Sequence, residues 1–451
     1  MNTMTQLRQL GLFDAKVPRY TSYPTAPHFA DTVGTREFSG WIDEIPQGGQ
    51  ISLYLHVPFC RRLCWFCACR TQGTQSTAPV QAYLQTLKSE LALLKRRLPK
   101  GVSLARLHWG GGTPTLLSAD MMRDLAESIF TVAPLASDAE FSVEIDPNEI
   151  DADRIKALAA IGMNRASIGV QDFDPDIQKT IGRQQSYDVT RDAADALRAV
   201  GIRSLNADIL YGLPHQTPHK IAESVQMLLS LSPDRVALYG YAHVPWMARR
   251  QGMIPSDALP TPEERLELFE TASQLFAWDD YAEIGIDHFA KYDDGLTIAQ
   301  RAGRLRRNFQ GYTDDPSDVL ISLGASAISR FPQGFAQNAS STSAYTAAVR
   351  AEQFATVRGH NFSPDDKLRG RIIEALMCDF HVQTAELVNS FGVTAKQIEL
   401  LYQKALGQFP GMLSITKDGL QIPTKSRALT RMIARSFDVY SVDQAGHSHA
   451  I

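Results

Sequence analysis

Long apolar runs, cysteine and net charge are all scarce in this chain. Of its 451 residues only 5 are cysteine, and 45 basic residues against 49 acidic ones give a formal net charge of −4. No stretch approaches the roughly 18 apolar residues of a transmembrane helix, and the N-terminal sequence MNTMTQLRQLGLFDAK lacks the apolar core of a signal peptide. We therefore expect a cytoplasmic protein that neither inserts into a membrane nor attracts nucleic acid through its overall charge.

Four of the five cysteines are crowded into the sequence CRRLCWFCAC at residues 60–69, while Cys378 stands alone. Disulfides within so short a loop would constrain little of the unfolded chain, and cytoplasmic cysteines are usually reduced. The spacing of Cys60, Cys64 and Cys67 suits three thiolates that hold three corners of an iron–sulfur cubane and leave one iron open. Zinc sites usually need a second pair of ligands, which the sequence does not offer. Zinc binding and the absence of a metal remain the alternatives.

Short apolar runs alternate with helical patterns from residue 51 to about residue 290, which predicts an α/β fold with a parallel sheet. Six runs are strand candidates, namely ISLYLHVP, RLHWGG, FSVEIDP, NRASIGVQ, SLNADILYG and RVALYGYA, with AEIGIDHF as a further candidate. Their near-continuous apolar character is typical of strands buried on both faces. Segments between them, such as VQAYLQTLKSELALLKRRL, carry apolar residues at helical spacing. Either a parallel barrel or an open sheet fits this pattern.

Polar or small residues stand at or near the end of each candidate strand. The cysteine loop follows the first strand and GGGTPT follows the second, while Glu144 lies in the third and Gln171 ends the fourth. Asp208 lies within the fifth strand, and Ala242 ends the sixth. Because the carboxyl ends of barrel strands meet at one mouth, we expect these groups to surround one site.

Two of these features have a structural as well as a functional explanation. The sequence WGGGTP at residues 109–114 is neither a dinucleotide-binding motif nor a P-loop. Adjacent glycines allow a backbone to approach a ligand closely, but they also suit a tight turn. Glu144 lies in an apolar strand, where an unpaired carboxylate is costly. It therefore either binds a ligand or is neutralised by a buried arginine or lysine.

Beyond these patterns, the cysteine triplet with Phe66 before its last member resembles the signature of the radical S-adenosylmethionine superfamily. The longer sequence YLHVPFCRRLCWFCAC resembles one family in particular, the oxygen-independent coproporphyrinogen III oxidases. Matching motifs continue from residue 18 to beyond residue 330, and they are PRYTSYPT, LHWGGGTPT, SVEIDP, SIGVQDF, YGLPHQTP and NFQGYT. The sequence YTDDPSD at residues 312–318 departs from the family, where a second threonine is common, and this bears only on local loop contacts.

The resemblance implies an incomplete (β/α)6 barrel of the radical S-adenosylmethionine type at residues 49–335. Residues 1–48 would form an extended segment over the active site, where Tyr20 or Tyr23 would contact the substrate. Residues 336–451 would form a mainly helical, winged-helix-like domain with a hairpin that turns at Asp418 and Gly419. We expect this domain to act as a lid or packing element rather than to bind DNA.

The resemblance also implies two kinds of cofactor. Cys60, Cys64 and Cys67 would bind a [4Fe–4S] cluster, and Cys69 would belong to the motif without being a ligand. Two molecules of S-adenosylmethionine would bind beside the cluster. The residues that match the family's contacts to the first molecule are Tyr54, Gly111, Glu144 and Ile328. Those that match its contacts to the second are Phe66, Gly112, Thr113, Gln171, Arg183, Asp208 and Ala242.

The implied reaction is the anaerobic oxidative decarboxylation of two propionates of coproporphyrinogen III to vinyl groups, which gives protoporphyrinogen IX in heme biosynthesis. Because a radical derived from S-adenosylmethionine removes the hydrogen, we expect no catalytic side chains beyond the ligands of cluster and cofactor. A low-potential electron donor is required, and we expect a monomer. The alternatives are a heme chaperone of the same superfamily, disfavoured by PRYTSYPT and Cys69, and a zinc-stabilised binding module.

Overall fold

A computed structural model describes residues 3–440 and 450–451 of the protein. Its centre is a 12-stranded sheet in which six neighbouring parallel strands follow one another in chain order. These strands are β1 (Gln50–Val57), β2 (Ser103–Gly111), β3 (Leu135–Ile145), β4 (Arg165–Gln171), β5 (Ser204–Tyr211) and β6 (Arg235–Gly240). All six coincide with the predicted runs. The α/β fold class with a six-stranded parallel core is therefore confirmed.

Helices connect the parallel strands. They are Ala78–Arg97, Ala119–Val132, Ala152–Ala160, Pro175–Thr180, Tyr187–Ala199 and Pro218–Ser230, and Pro262–Trp278 follows the sixth strand. Several begin at a residue whose side-chain oxygen accepts a backbone hydrogen bond, such as Ser118, Asp151 and Thr217. Such caps satisfy N–H groups that a helix leaves free at its start. The short connections place each helix against the sheet beside the strands it joins.

Short strands extend both edges of the sheet. β7 (Ala282–Ile284) and β8 (His288–Ala290) form an antiparallel hairpin beside β6, so the further candidate AEIGIDHF is two strands rather than one. On the other edge β9 (Leu320–Leu323) pairs parallel with β1. Beyond it lie β10 (Ile328–Phe331), β11 (Gly334–Asn338) and β12 (Thr356–Asn361), all antiparallel. The sheet thus continues well past the parallel core.

Side chains alternate between the two faces of the parallel strands, as the pleat requires. On β3, Phe141 and Val143 are buried in the apolar core, whereas Glu140, Ser142 and Glu144 line an internal cavity. This differs from the expectation that both faces would be apolar. The physical reason is that the inner face surrounds a cavity, so only the outer face needs apolar side chains.

The remaining helices belong to the two ends of the chain and the segment before β9. They are Thr3–Gln9, Thr35–Asp43, Gly295–Arg301, Thr342–Arg350, Pro364–Asp379, Thr384–Phe391, Ala395–Gln408 and Thr430–Arg435. A small antiparallel sheet accompanies the later ones, formed by His381–Gln383, Ser414–Ile415 and Gly419–Gln421. No helix in the described part of the chain is both long and apolar enough to cross a membrane.

The N-terminal segment joins both halves of the molecule. Leu12 and Tyr20 pack in the apolar core of the C-terminal helices, while Phe38 and Trp41 pack in the core of the large sheet. Tyr20 is buried and its hydroxyl donates to the Asp438 carboxylate at 2.9 Å. The segment is therefore not simply extended, since it contains two helices and acts as a connection between the two cores.

Candidate active site

A cavity of about 710 Å³ lies inside the curve of the parallel sheet. Its walls are inward side chains of the six parallel strands, together with residues 68–70 of the cysteine loop and the hairpin of residues 308–313. This size lies within the range typical of sites for small molecules. Since inward residues are spaced two apart along each strand, they form layers along the axis of the cavity.

The layer nearest the amino ends of the strands is a closed network of charges. Arg165 lies 2.8 Å from the Glu140 carboxylate, and Arg235 lies 3.5 Å from it. Arg235 also pairs with Asp294 at 2.7 Å, and its side chain is only 4% exposed. Burial alone would raise the pKa of Glu140, but the nearby arginines outweigh it and lower the pKa to about 2. Every charge in this layer has a partner of opposite sign.

The middle layer consists of polar and aromatic side chains. The rings of Tyr54 and His108 stack with centroids 5.6 Å apart. His108 Nδ1 is hydrogen bonded to the Ser142 hydroxyl at 2.5 Å, and Asn206 donates to the Ser167 hydroxyl at 2.8 Å. His108 Nε2 also lies 3.5 Å from Glu144 Oε1, and Asn206 also donates to the Asp208 carboxylate, so this layer is hydrogen bonded to the layer nearest the carboxyl ends. The aromatic rings of Tyr54 and His108 suit contact with a planar ligand.

The layer nearest the carboxyl ends contains two carboxylates that pair with no arginine or lysine of the described residues. One oxygen of Glu144 accepts a hydrogen bond from the Gly111 N–H at 3.0 Å, and its side chain is 41% exposed. Its other oxygen lies 3.5 Å from His108 Nε2. Burial raises the pKa of Asp208 to about 6, against the effect of a 2.8 Å hydrogen bond from Asn206. Both carboxylates line the cavity, and each already accepts at least one hydrogen bond.

The cysteine loop begins directly after β1, at the mouth of the cavity. Cys67 Sγ accepts hydrogen bonds from the thiol of Cys69 and from the backbone N–H of Cys69, whose nitrogen lies 3.4 Å away. These two hydrogen bonds lower the pKa of Cys67 to about 6. Burial raises the pKa of Cys60 to about 11 and also raises that of Cys64. Arg183 donates to Cys64 Sγ at 3.6 Å. N–H and guanidinium donors of this kind stabilise the thiolate form that a metal requires.

The glycine run fits closely against the start of the cysteine loop. The N–H of Gly112 donates to the Val57 carbonyl at 2.8 Å, and that of Thr113 donates to the Phe59 carbonyl at 2.7 Å. A Cβ atom on Gly112 would lie 2.5 Å from the Phe59 carbonyl oxygen, and Gly111 has a φ of +109°. A larger residue would therefore displace the loop. The glycine run therefore positions the cysteine loop.

Arg183 and Gln171 meet behind the cysteine loop. Arg183 donates to the Gly169 carbonyl at 2.8 Å and lies 3.6 Å from the Asp146 carboxylate. Gln171 ends β4 with a φ of +73°, a conformation that is strained for a residue with a side chain. Strain at the end of a barrel strand is common at functional sites. The arrangement connects β4 directly to Cys64.

Sequence reasoning missed two residues that hold the cysteine loop from the outside. Gln251 donates to the carbonyls of Phe66, at 2.7 Å, and Ala242, at 3.0 Å. Arg250 donates to the Cys69 carbonyl at 3.1 Å. Both residues lie in the short 3₁₀ helix Arg249–Met253 after β6, where no periodic pattern marks a side chain as important.

The eleven predicted S-adenosylmethionine contacts fall into two groups. Five of them line the cavity, and these are Tyr54, Gly111, Glu144, Asp208 and Ile328. The other six lie on or around the cysteine loop, and these are Phe66, Gly112, Thr113, Gln171, Arg183 and Ala242. Their roles as cofactor contacts stay predictions.

Two arginines of the basic sequence RAGRLRRNFQ at residues 301–310 form ion pairs with neighbouring elements. Arg306 pairs with Glu374 at 2.9 Å, and buried Arg307 pairs with Asp287 at 3.4 Å. Residues 306–308 form half of a short hairpin with residues 311–313. Two arginines of the run are therefore structural ion-pair partners between the hairpin and its neighbours.

The cysteine loop offers the thiol ligands that an iron–sulfur cluster takes. Among residues 3–440 and 450–451, no group of three or more His, Cys, Asp or Glu side chains converges as one metal ion would require. The hydrogen-bond donors next to Cys64 and Cys67 fit thiolate ligands of a cluster.

Comparisons with known proteins agree with this site. The model of the Radical SAM superfamily matches residues 54–228. The oxygen-independent coproporphyrinogen III oxidase of Paracoccus denitrificans is 63% identical over 451 residues, with 100% of both chains covered. The enzyme of the same name from Escherichia coli is 36% identical over 428 residues and covers 94% of this chain and 93% of its own. The solved structure of coproporphyrinogen III oxidase from Escherichia coli matches with a TM-score of 0.89 at 34% identity, covering 95% of this chain and 100% of that one.

The chain belongs to the oxygen-independent coproporphyrinogen III oxidase family. The resemblance stated from the motifs is thereby confirmed, and the protein is a radical S-adenosylmethionine enzyme. Membership of this family implies a [4Fe–4S] cluster and S-adenosylmethionine. The heme-chaperone alternative is not favoured, because the relatives that match over nearly the whole length are named as oxidases.

Proposed function

We propose that the protein converts coproporphyrinogen III to protoporphyrinogen IX in heme biosynthesis, by oxidative decarboxylation of two propionates without oxygen. The observation that carries this proposal is the position of the cysteine loop at the mouth of a cavity of about 710 Å³. When bound, the cluster and S-adenosylmethionine supply a 5′-deoxyadenosyl radical that removes hydrogen from a propionate β-carbon. The carboxylate then leaves as carbon dioxide, one electron passes from the substrate to an electron acceptor outside the chain, and a vinyl group remains.

The protein's own residues bind and orient the reactants. Cys60, Cys64 and Cys67 hold the cluster, and Arg183 fixes Cys64 by a hydrogen bond to its sulfur. Glu144, held by the Gly111 N–H, offers a carboxylate that attracts the amino group of a methionine moiety. Enclosure in the cavity excludes water from the radical chemistry. No proton transfer by a side chain is needed.

Two molecules of S-adenosylmethionine are part of this proposal. The division of the predicted contacts supports it, since one set lines the cavity and the other surrounds the cysteine loop. Four of the five cavity-lining contacts, Tyr54, Gly111, Glu144 and Ile328, belong to the first predicted molecule. The second molecule would lie nearer Arg183 and Ala242. Equilibrium binding to the reconstituted protein would give a stoichiometry of two, and one molecule per chain would contradict this part.

The decisive experiment is an anaerobic turnover assay of iron–sulfide-reconstituted protein with S-adenosylmethionine, dithionite and coproporphyrinogen III. We expect protoporphyrin after oxidation of the products, with two 5′-deoxyadenosines for each protoporphyrin. Deoxyadenosine without protoporphyrin would contradict the substrate and keep the radical chemistry. Tight heme binding in that case would favour a chaperone.

The proposal also includes the cellular location, the oligomeric state and the electron supply of the enzyme. We propose that it works in the cytoplasm as a monomer and takes electrons from a low-potential donor. The negative net charge and the absence of apolar runs in the sequence support the first part. Analytical ultracentrifugation of the reconstituted protein would test the monomer, and a sedimentation coefficient of a dimer would contradict it.

A further inference from the structure

A second cavity adjoins the active-site cavity. It has a volume of about 330 Å³ and lies between the extended edge of the sheet and the helix Pro364–Asp379. Three residues, Asn308, Phe309 and Leu320, line both cavities. The two spaces therefore meet at these residues, and we call the smaller space the side cavity.

The strand β10 leads from the active-site cavity to the side cavity. Ile328, a predicted contact of the first S-adenosylmethionine, lines the active-site cavity, and Arg330 lines the side cavity. Side chains two residues apart on a strand lie on the same face, about 7 Å from each other. Arg330 is also the register partner of Leu320, which borders both cavities. Arg330 therefore lies directly beyond the wall of the active site.

Aromatic rings form the apolar wall of the side cavity. The ring of Phe335 meets the ring of Phe309 edge to face at 5.5 Å and that of Phe362 at 5.0 Å. All three residues line the side cavity, and Phe309 and Phe362 are only half-buried. Part of each of these two rings is therefore available to a ligand. Such a wall suits an apolar ring of a small molecule.

The arginines of the side cavity differ in their partners. Arg306 pairs with Glu374 at 2.9 Å, and Arg371 pairs with Glu386 at 2.5 Å. The half-buried side chain of Arg330, by contrast, has no hydrogen bond and no ion pair in the part of the chain that the structure describes. A charge that is withdrawn from water without a partner is costly. The guanidinium group, which binds carboxylates in a bidentate way, therefore calls for an anionic ligand.

Two further charged residues line the side cavity. Lys367 and Asp318 are both exposed, and neither forms an ion pair among the described residues. Asp318 thus does not neutralise Arg330. With two unpaired cations and one unpaired carboxylate, the side cavity favours a ligand that carries a carboxylate, and Asp318 is the group that would repel it.

We propose that the side cavity binds a propionate of coproporphyrinogen III that does not react, and that Arg330 is the partner of its carboxylate. The proposal rests on the proposed function, in which two propionates are decarboxylated and two are retained. The pyrrole ring that carries the bound propionate packs against Phe309 at the border of the two cavities. The rest of the substrate occupies the active-site cavity. Arg330 thereby selects a substrate that has a second carboxylate at a distance from the reacting one.

The test measures the KM for coproporphyrinogen III and the KM for S-adenosylmethionine separately, in the anaerobic dithionite assay of reconstituted protein. The variants are Arg330→Gln, Arg330→Lys and Asp318→Asn. The matched control is Arg350→Gln, because Arg350 is an exposed arginine at the end of the helix Thr342–Arg350 that also forms no ion pair in the described part of the chain. Equilibrium dialysis against coproporphyrinogen III without S-adenosylmethionine measures binding in the absence of turnover.

We expect Arg330→Gln to raise the KM for coproporphyrinogen III about tenfold, since it removes a hydrogen bond between charged groups. The kcat should stay within about threefold and the KM for S-adenosylmethionine within about twofold, because the retained propionate is remote from the reacting atoms. Arg330→Lys should stay within about threefold of the unchanged protein in KM, because lysine keeps the charge without the bidentate geometry. Asp318→Asn should lower the KM about twofold by removing a like charge. The dissociation constants from dialysis should change by the same factors.

Four outcomes would overturn the proposal. An unchanged KM for coproporphyrinogen III in Arg330→Gln would show that Arg330 does not bind the substrate. A raised KM for S-adenosylmethionine alone would assign Arg330 to the cofactor. A rise in KM in Asp318→Asn as large as that in Arg330→Gln would show that these two residues act as a structural pair. An equal rise in Arg350→Gln would assign the effect to the overall charge.

Failure of the proposed function would be visible separately. In that case the unchanged protein would form no protoporphyrin, whereas dialysis would still show whether Arg330 binds the porphyrinogen.

Discussion

The amino-end and carboxyl-end layers of the cavity differ in how their charges are balanced. At the amino end Glu140 is surrounded by Arg165 and Arg235, and its pKa is lowered to about 2. At the carboxyl end, only four residues along the same strand, Glu144 contacts the Gly111 N–H and the His108 imidazole, and no arginine or lysine of the described residues. Asp208 in that layer has a pKa raised to about 6 by burial. The same fold therefore places arginine-paired carboxylates at one end of the cavity, and at the other end, where the cysteines are, carboxylates that have no such partner among the described residues.

The largest effect should come from removing a cysteine at the carboxyl end. Cys67→Ser should abolish iron binding and deoxyadenosine formation, because thiolate is the ligand that iron–sulfur clusters require. Cys69→Ser is the matched control and should retain iron, since Cys69 donates a hydrogen bond to Cys67 instead of binding the cluster. Iron content and electron paramagnetic resonance of the reduced proteins would check both. Retention of a full cluster in Cys67→Ser would contradict the assignment.

The second largest effect is a loss of stability, and we expect it for a substitution in the amino-end layer. Glu140→Gln should lower the apparent free energy of unfolding by about 3–5 kcal/mol, because it leaves buried arginines without their counter-charge. Urea unfolding at pH 7 would measure it. The folded-state pKa of Glu140 lies below its ordinary value, so its contribution is fully present above about pH 4.5 and is lost as the pH falls through about 2. A loss below about 1 kcal/mol would show that the network is not a stabilising layer.

Glu144→Gln provides the sharpest contrast, since it makes the same substitution on the same strand and the same face. We expect its free energy of unfolding to change by less than about 1 kcal/mol, because its partners are the Gly111 N–H and the His108 imidazole, and the side-chain amide of glutamine can still hydrogen bond to both. Turnover should fall at least tenfold and the KM for S-adenosylmethionine should rise, as the carboxylate that faces the cavity is lost. Steady-state kinetics under anaerobic conditions would show it. A large loss of stability with unchanged kinetics would contradict the assignment of a stabilising role to the amino-end layer and a functional role to the carboxyl-end layer.

The sequence predicted the parallel core well because its strands are long and lie between helices with clear apolar periodicity. The edge strands β7 to β12 were missed or merged because most are three to five residues long and their pairing depends on distant neighbours. The charged layer was also missed. Arg106, Glu140 and Arg235 stand on three separate strands, where each alone is typical of a solvent-exposed position. The role of Gln251 could not be predicted from the sequence either, because its hydrogen bond to Phe66 joins residues that are 185 positions apart.

The smallest expected effect is that of Asp208→Asn on the free energy of unfolding, and its sign is opposite to that of Glu140→Gln. Because the folded-state pKa of Asp208 is raised to about 6, stability is lost as the pH rises through that value, when the buried carboxyl must ionise. Asp208→Asn should therefore raise the free energy of unfolding by about 1–2 kcal/mol at pH 8, with the gain shrinking toward zero near pH 4. Urea unfolding at both pH values would measure this, with Glu140→Gln as the control of opposite sign. A gain that does not depend on pH would show that the carboxyl-end layer is balanced by charges in the same way as the amino-end layer.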